Sequence, residues 1–191
     1  MSQLSPGKTI GILGGGQLGR MLSLAAAQLG FDVCIFTDEP DSPASRVSAR
    51  TFVANYLDAA ALADFARRVD VVTTEFENVP AQTADVLLAA GARVAPNPRA
   101  LAIAQDRVDE KSFLNSVGIA TPRFVAVSSQ AELDAAVAEI GTPALLKTRR
   151  LGYDGRGQIR IDTPQGARRA YEKLGAPGIL EAWCAFEREI S

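Results

Sequence analysis

The stretch Thr9-Ile10-Gly11-Ile12-Leu13-Gly14-Gly15-Gly16-Gln17-Leu18-Gly19 decides the fold. Its apolar half reads as a buried strand, and its second half fits G-x-G-x-x-G where a strand passes into a helix. Glycines there permit a tight turn and the close approach of an anion, whose charge the free amides of the helix start stabilise. Asp38, about twenty residues on, matches the acidic residue with which a nicotinamide enzyme holds ribose. On these residues alone the reading is an NAD-binding module or NAD-dependent oxidoreductase built on Gly14 to Gly19 and Asp38. The plainer alternative is that the glycines only let helix pack closely on strand.

Outward from this stretch, strand and helix alternate. Residues 9–13, 32–36, 51–54, 70–74 and 93–95 read as strands, and residues 17–29, 58–68 and 81–90 as helices. Strict alternation implies parallel pairing, right-handed crossovers and ligands at the carboxyl ends of the strands. Pro96 and Pro98 bracket Asn97, so neither a ladder nor a helix continues through that point. The fold class is therefore α/β, with a Rossmann-like domain over residues 1–98 and a second, incomplete domain over residues 99–191. In the second part, helices are expected at 107–116, 130–140 (capped by Ser128 or Ser129) and 164–174, and strands at 124–127, 144–148, 158–161 and 178–183. Residues 187–191 look like the opening of one more strand. A half-domain ending on an unpaired strand closes its core poorly, so the expectation is the amino-terminal part of a longer polypeptide.

Composition narrows the chemistry. Among 191 residues, 47% hydrophobic content excludes disorder, and 20 basic against 22 acidic side chains give no broad cationic surface for nucleic acid or anionic lipid. No apolar run approaches a membrane span, and residues 1–9 lack a signal core, so a cytoplasmic location is expected. Cys34 and Cys184 form neither a disulfide framework nor a metal clasp. With no histidine present, the commonest general base and zinc ligand is missing. Carboxylates, Lys, Arg, backbone amides or a bound cofactor must do the work.

Three further segments carry polar groups at strand ends. Thr73-Thr74-Glu75-Phe76-Glu77-Asn78-Val79-Pro80 follows an apolar strand and would hold ribose hydroxyls or an amine, unless it is only a solvated loop capping the next helix. Lys147 ends the apolar strand and is followed by Arg149-Arg150-Leu151-Gly152-Tyr153-Asp154-Gly155-Arg156-Gly157-Gln158. Three glycines with three arginines make a tip able to close on a polyphosphate and shield it from water. It is not a Walker loop, because no G-K-[ST] opens a helix. Glu181-Ala182-Trp183-Cys184 closes another apolar strand and could read an adenine edge, although a plain strand end explains it equally well. Glu189 alone says nothing.

Taken together, these pieces resemble the ATP-grasp superfamily and, within it, the 5-(carboxyamino)imidazole ribonucleotide synthase family. The resemblance covers the whole chain and rests on GGGQLGRM (residues 14–21), TTEFENVP (73–80), Gln105-Asp106-Arg107 and GYDGRGQ (152–158). It implies a pre-ATP-grasp domain with a parallel sheet over residues 1–98, followed by the first part of an ATP-grasp α+β domain over residues 99–191. It also implies ATP-dependent carboxylation of 5-aminoimidazole ribonucleotide with bicarbonate, in purine biosynthesis. Arg107 and Lys147 would then contact ATP phosphates, Gly152, Tyr153, Asp154, Gly155, Arg156, Gly157 and Gln158 would form the lid, Glu181, Ala182, Trp183 and Cys184 would line adenine and ribose, and Glu189 would bind ribose. Gly16, Gln17, Leu18 and Glu75 would face the ribonucleotide, with Tyr153, Asp154 and Arg156 at the reacting groups. The resemblance implies Mg²⁺, with its ligands beyond residue 191 and none in this chain, and a homodimer. By itself the chain is expected to lack turnover.

Overall fold

The computed structural model describes residues 3–152, 155–188 and 190. The chain divides into two compact units, Met1–Ala102 and Ile103–Ser191.

The first unit follows the alternation of its sequence. It runs β1 (Thr9–Leu13), α1 (Gln17–Gln28), β2 (Asp32–Thr37), β3 (Arg50–Val53), α2 (Ala59–Ala66), β4 (Val71–Thr74) and α3 (Ala81–Ala89). The strands stand in the order β3-β2-β1-β4, and every pair is parallel. Because side chains alternate along a strand, β1 and β2 feed two cores. Ile12, Val33 and Ile35 are buried with Ala26 of α1, whereas Leu13, Cys34 and Phe36 join Leu62, Phe65 and Leu87 of α2 and α3. Phe65 anchors the second core, with its ring edge-on to Phe36 at 5.4 Å and to Phe52 at 5.6 Å. Gly11 has no alternative in this packing, since a Cβ there would lie 2.7 Å from Phe65 Cζ. Cys34 is free and buried, and burial pushes its thiol up to about 11. The expected strand at residues 93–95 is reduced to one parallel bridge between Val72 and Val94.

A helix the sequence reading did not anticipate, α4 (Pro98–Ala104), begins at Pro98, where proline is tolerated in a first turn. The two units part inside it, between Ala102 and Ile103, within about five residues of the boundary expected at residue 98.

The second unit contains α5 (Arg107–Ser116), β5 (Phe124–Val127), α6 (Gln130–Ile140), β6 (Ala144–Thr148), β7 (Gln158–Ile161), α7 (Ala170–Leu174) and β8 (Gly178–Ala182). Its sheet is antiparallel with order β5-β8-β6-β7. One face carries Val127, Ala144, Leu146, Ile161 and Leu180 into a core with Leu133, Ala136 and Val137 of α6 and Ala170 of α7. Ser129 caps α6 by accepting from the Glu132 amide at 3.1 Å. The single helix expected over residues 164–174 is broken into a 3-10 turn, Pro164–Ala167, and α7. Arg169 lies between them with φ +62°. Gln130 of α6 compensates the break, its side-chain amide donating to the Ala167 carbonyl and accepting from the Tyr171 amide. Glu187, Arg188 and Ile190, the described part of the last segment, are not in a strand. No described helix is long and apolar enough to cross a membrane.

Phe65→Ala removes the aromatic anchor of one core and should destabilise the first unit by about 3–5 kcal/mol in urea unfolding, whereas a loss under about 1 kcal/mol would show that this core is not packed around it.

Candidate functional site

In the first unit, β1 delivers the chain to Gly14, whose φ of +113° suits glycine, and whose amide donates to the Phe36 carbonyl at 2.8 Å. Two amides at the mouth of α1, those of Gly16 and Gly19, do not face open space. Glu75, which directly follows β4, accepts from the Gly16 amide at 2.6 Å and from the Gly19 amide at 2.5 Å. A carboxylate at a helix start is favourable for the same reason that a phosphate is, since amide dipoles and unpaired N–H groups point at it. The glycines leave room for it: a Cβ at Gly16 would lie 2.7 Å from Glu75 Oε1. G-x-G-x-x-G here therefore receives an anion from its own chain. Gln17 and Leu18 are exposed at the start of α1, and Asp38 is exposed just after β2.

In the second unit, alternation builds a cleft. While Leu146, Ile161 and Leu180 point into the core, their strand neighbours Leu145, Lys147, Gln158, Arg160 and Glu181 line the other face, with Lys111, Trp183 and Cys184, around a cleft of about 760 Å³. Leu145 pairs with Glu181 and Lys147 with Ile179, so Lys147 and Glu181 are diagonal neighbours within reach of long side chains. Lys147 Nζ lies 2.9 Å from Glu181 Oε2, and Lys111 Nζ lies 3.4 Å from Glu181 Oε1. The Glu181 side chain is only 6% exposed, and its Oε1 has no hydrogen-bond donor. Arg160 stacks over the Trp183 ring at 4.2 Å, a cation–π contact that holds one wall of the cleft.

The flap meets the start of α5 close by. Arg107 donates through Nη2 to the Gly152 carbonyl at 2.8 Å, and its amide donates to the Arg149 carbonyl at 3.0 Å. Asp106 caps α5 through the Val108 amide and accepts from Arg149 through both oxygens at 2.9 Å, with Arg150 at 3.3 Å. Burial opposes its charge, but the Arg149 and Val108 hydrogen bonds outweigh that and hold its carboxyl below the ordinary value. Gly155 and Gly157 take positive φ, and Thr148 Oγ1 is buried without a hydrogen-bond partner beneath Gly157. Tyr153, Asp154 and Glu189 lie outside the described residues.

Lys147, Gln158, Glu181, Trp183 and Cys184 thus share one cleft, and Arg107 touches the flap beside it. Two contributors carry no sequence signal of their own: Lys111 falls four positions after Arg107, on the same helical face, and Arg160 shares β7 parity with Gln158. Asp106 belongs to the Gln105-Asp106-Arg107 motif, and its role as the cap of α5 fits an acid just before a helix start. Among the described residues there is no group of three or more metal-ligating side chains.

Comparison with known proteins follows this division. Residues 7–105 match the ribonucleotide synthetase preATP-grasp domain, and residues 112–191 match the ATP-grasp domain. The chain is 48% identical over 193 aligned residues to the N5-carboxyaminoimidazole ribonucleotide synthase of Brucella melitensis, covering 100% of this chain and 53% of that one. A solved ADP complex of N5-carboxyaminoimidazole ribonucleotide synthetase matches with TM-score 0.90 and 37% identity, covering 96% of this chain and 49% of the other. The Aspergillus clavatus synthase in complex with ADP and 5-aminoimidazole ribonucleotide matches with TM-score 0.81 and 28% identity, over 94% and 47%. The chain spans about half the length of the curated relatives it matches.

Two outcomes follow from these contacts. Glu75→Ala strips the α1 amides of their acceptor and should cost about 1.5–3 kcal/mol in urea unfolding, with Glu75→Gln recovering part of it; equal stability of all three proteins would contradict the cradle. Because the Asp106 carboxyl is depressed in the folded state, its stabilisation is present above the unfolded value of about 3.9 and is lost as pH falls through the folded value. Asp106→Asn should therefore be less stable than wild type at neutral pH, by about 1–3 kcal/mol, and the gap should close in acid. A gap independent of pH would remove the charge from the explanation.

Proposed function

The chain belongs to the N5-carboxyaminoimidazole ribonucleotide synthase family of ATP-grasp proteins, and from that premise we propose that it serves the ATP-dependent carboxylation of 5-aminoimidazole ribonucleotide with bicarbonate. The observation that carries this reading is the cleft of the second unit, where Lys147 and Lys111 flank a nearly buried Glu181 and Arg160 lines the wall beside Trp183. The donors suit an adenine nucleotide. Lys147 supplies a charge-assisted contact to its phosphates, and Glu181 to Cys184 supply backbone groups and the Trp183 ring for adenine and ribose. Arg107 reaches the same phosphates by exchanging the Gly152 carbonyl for a phosphate oxygen.

In this reading the loop 152–158 closes over the triphosphate and excludes water, which strengthens each charge contact beneath it. Bicarbonate oxygen attacks the γ-phosphoryl group, ADP leaves, and the carboxyphosphate so formed passes its carboxyl group to the substrate amine with release of phosphate. The ribonucleotide is received by the first unit at Gly16, Gln17, Leu18 and Glu75. Tyr153, Asp154 and Arg156 act on the reacting groups, and Glu189 on the nucleotide ribose. Mg²⁺ would spread the charge that develops on the transferred phosphoryl, and the described residues hold no cluster of three or more groups able to ligate it. The proposal extends to a homodimer working in the cytoplasm.

The NAD-dependent reading loses its physical basis in Glu75, because the amides a pyrophosphate needs already hold a carboxylate. Titration of the protein carrying this sequence tests both readings. Lys147→Ala and Arg107→Ala should each weaken ATP by about 1.5–3 kcal/mol, and Asp38→Ala should leave ATP binding unchanged. Saturable NADH binding that disappears in Asp38→Ala would overturn the proposal.

A further inference from the structure

Lys111 lines the cleft of the second unit and pairs with Glu181, yet touches none of the nucleotide groups given to Lys147 and Arg107. Its side chain is 15% exposed, and its ammonium faces a carboxylate that is 6% exposed. An ion so far removed from water needs a counter-ion, and removing the counter-ion of a buried charge is far more costly than breaking an exposed pair. Glu181 has two cations within reach, one on each oxygen, Lys147 on Oε2 and Lys111 on Oε1.

The two lysines are held differently. Lys147 lies near the end of β6, hydrogen-bonded to Glu181 at 2.9 Å, on the face where phosphates are to be met. Lys111 belongs to α5, whose start is fixed by Asp106 against Arg149 and Arg150 and by the Arg107 amide on the Arg149 carbonyl. Its 3.4 Å approach to Oε1 is an ion pair without a hydrogen bond, so its effect on Glu181 is that of a fixed positive charge.

We propose that Lys111 is a positioning residue, the standing counter-ion of Glu181 that releases Lys147 to the phosphates of the nucleotide. If Glu181 had Lys147 as its sole cation, phosphate could draw Lys147 away only by leaving a buried carboxylate uncompensated. With Lys111 in place, Glu181 remains paired throughout, and Lys147 changes partners at little cost. Arg107 and Lys111, four residues apart on α5, then serve the same event from one helix face: Arg107 through the phosphates and Lys111 through Glu181.

This inference rests on the reading of the cleft as a nucleotide site, and calorimetric titration with ADP of the protein carrying this sequence separates the two. Lys111→Met should weaken ADP roughly tenfold or more, as expected when a charge-assisted contact is hindered. In a Glu181→Gln background, where no carboxylate retains Lys147, the same Lys111→Met change should alter ADP affinity by no more than about twofold, the scatter of independent sites. Lys111→Arg keeps the charge and should stay near wild type, which guards against a folding defect being mistaken for the effect. Equal losses from Lys111→Met in both backgrounds would assign Lys111 to direct binding or to plain structure and overturn the inference. Unchanged affinity of Lys111→Met, with wild type binding ADP, would overturn it as well. A wild type that leaves ADP unbound would instead remove the nucleotide reading of the cleft, and this inference with it.

Discussion

A carboxylate drawn out of water must be answered from within the protein, and three carboxylates, Asp106 and Glu181 buried and Glu75 half-buried, organise this chain. Glu75 is answered by two backbone amides at the start of α1, Asp106 by two arginines and the Val108 amide, and Glu181 by two lysines. Each lies at the end of a strand or at the start of a helix, where alternation or capping turns the side chain away from solvent. Unpaired, the buried Asp106 and Glu181 would cost more than their local packing returns, so their partners are structural before they are chemical.

That constraint separates the two units by function. In the first, the amide cradle that a Rossmann-like turn normally offers to phosphate is filled by Glu75, and the glycines of residues 14–19 serve the close approach of that side chain. In the second, the antiparallel sheet sends Leu146, Ile161 and Leu180 to one face and Lys147, Arg160 and Glu181 to the other. Lys111 and Lys147 flank one acid there, Glu181, while Arg160 pairs with Asp162, and the two lysines leave a positive excess that suits a polyanion.

The parallel sheet of the first unit was legible because its signals agree at every level: β-branched runs, glycine after a strand, and amphipathic stretches of helical length. Helix 107–116 and strands 124–127, 144–148 and 158–161 were equally plain, each bounded by an acid, a serine, a proline or a glycine. What escaped notice was tertiary. The break at Arg169 depends on the Gln130 side chain reaching across from α6, and nothing local in residues 164–174 announces it. At Gly14 to Gly19 the glycine pattern was legible but its partner was not, since Glu75 lies some sixty residues away and meets the loop only when β4 pairs with β1. Lys111 and Arg160 were hidden for a simpler reason: a lone cation has no motif, and only helical or strand parity brings it to the cleft.

The most direct measurement is a crystal structure of the protein carrying this sequence grown with ADP. The account requires ADP in the cleft of the second unit, with its phosphates against Lys147 and its base beside Glu181 to Cys184, while Glu75 still accepts from the Gly16 and Gly19 amides. A diphosphate seated on those two amides, with Glu75 displaced and Lys147 still paired to Glu181, would contradict it.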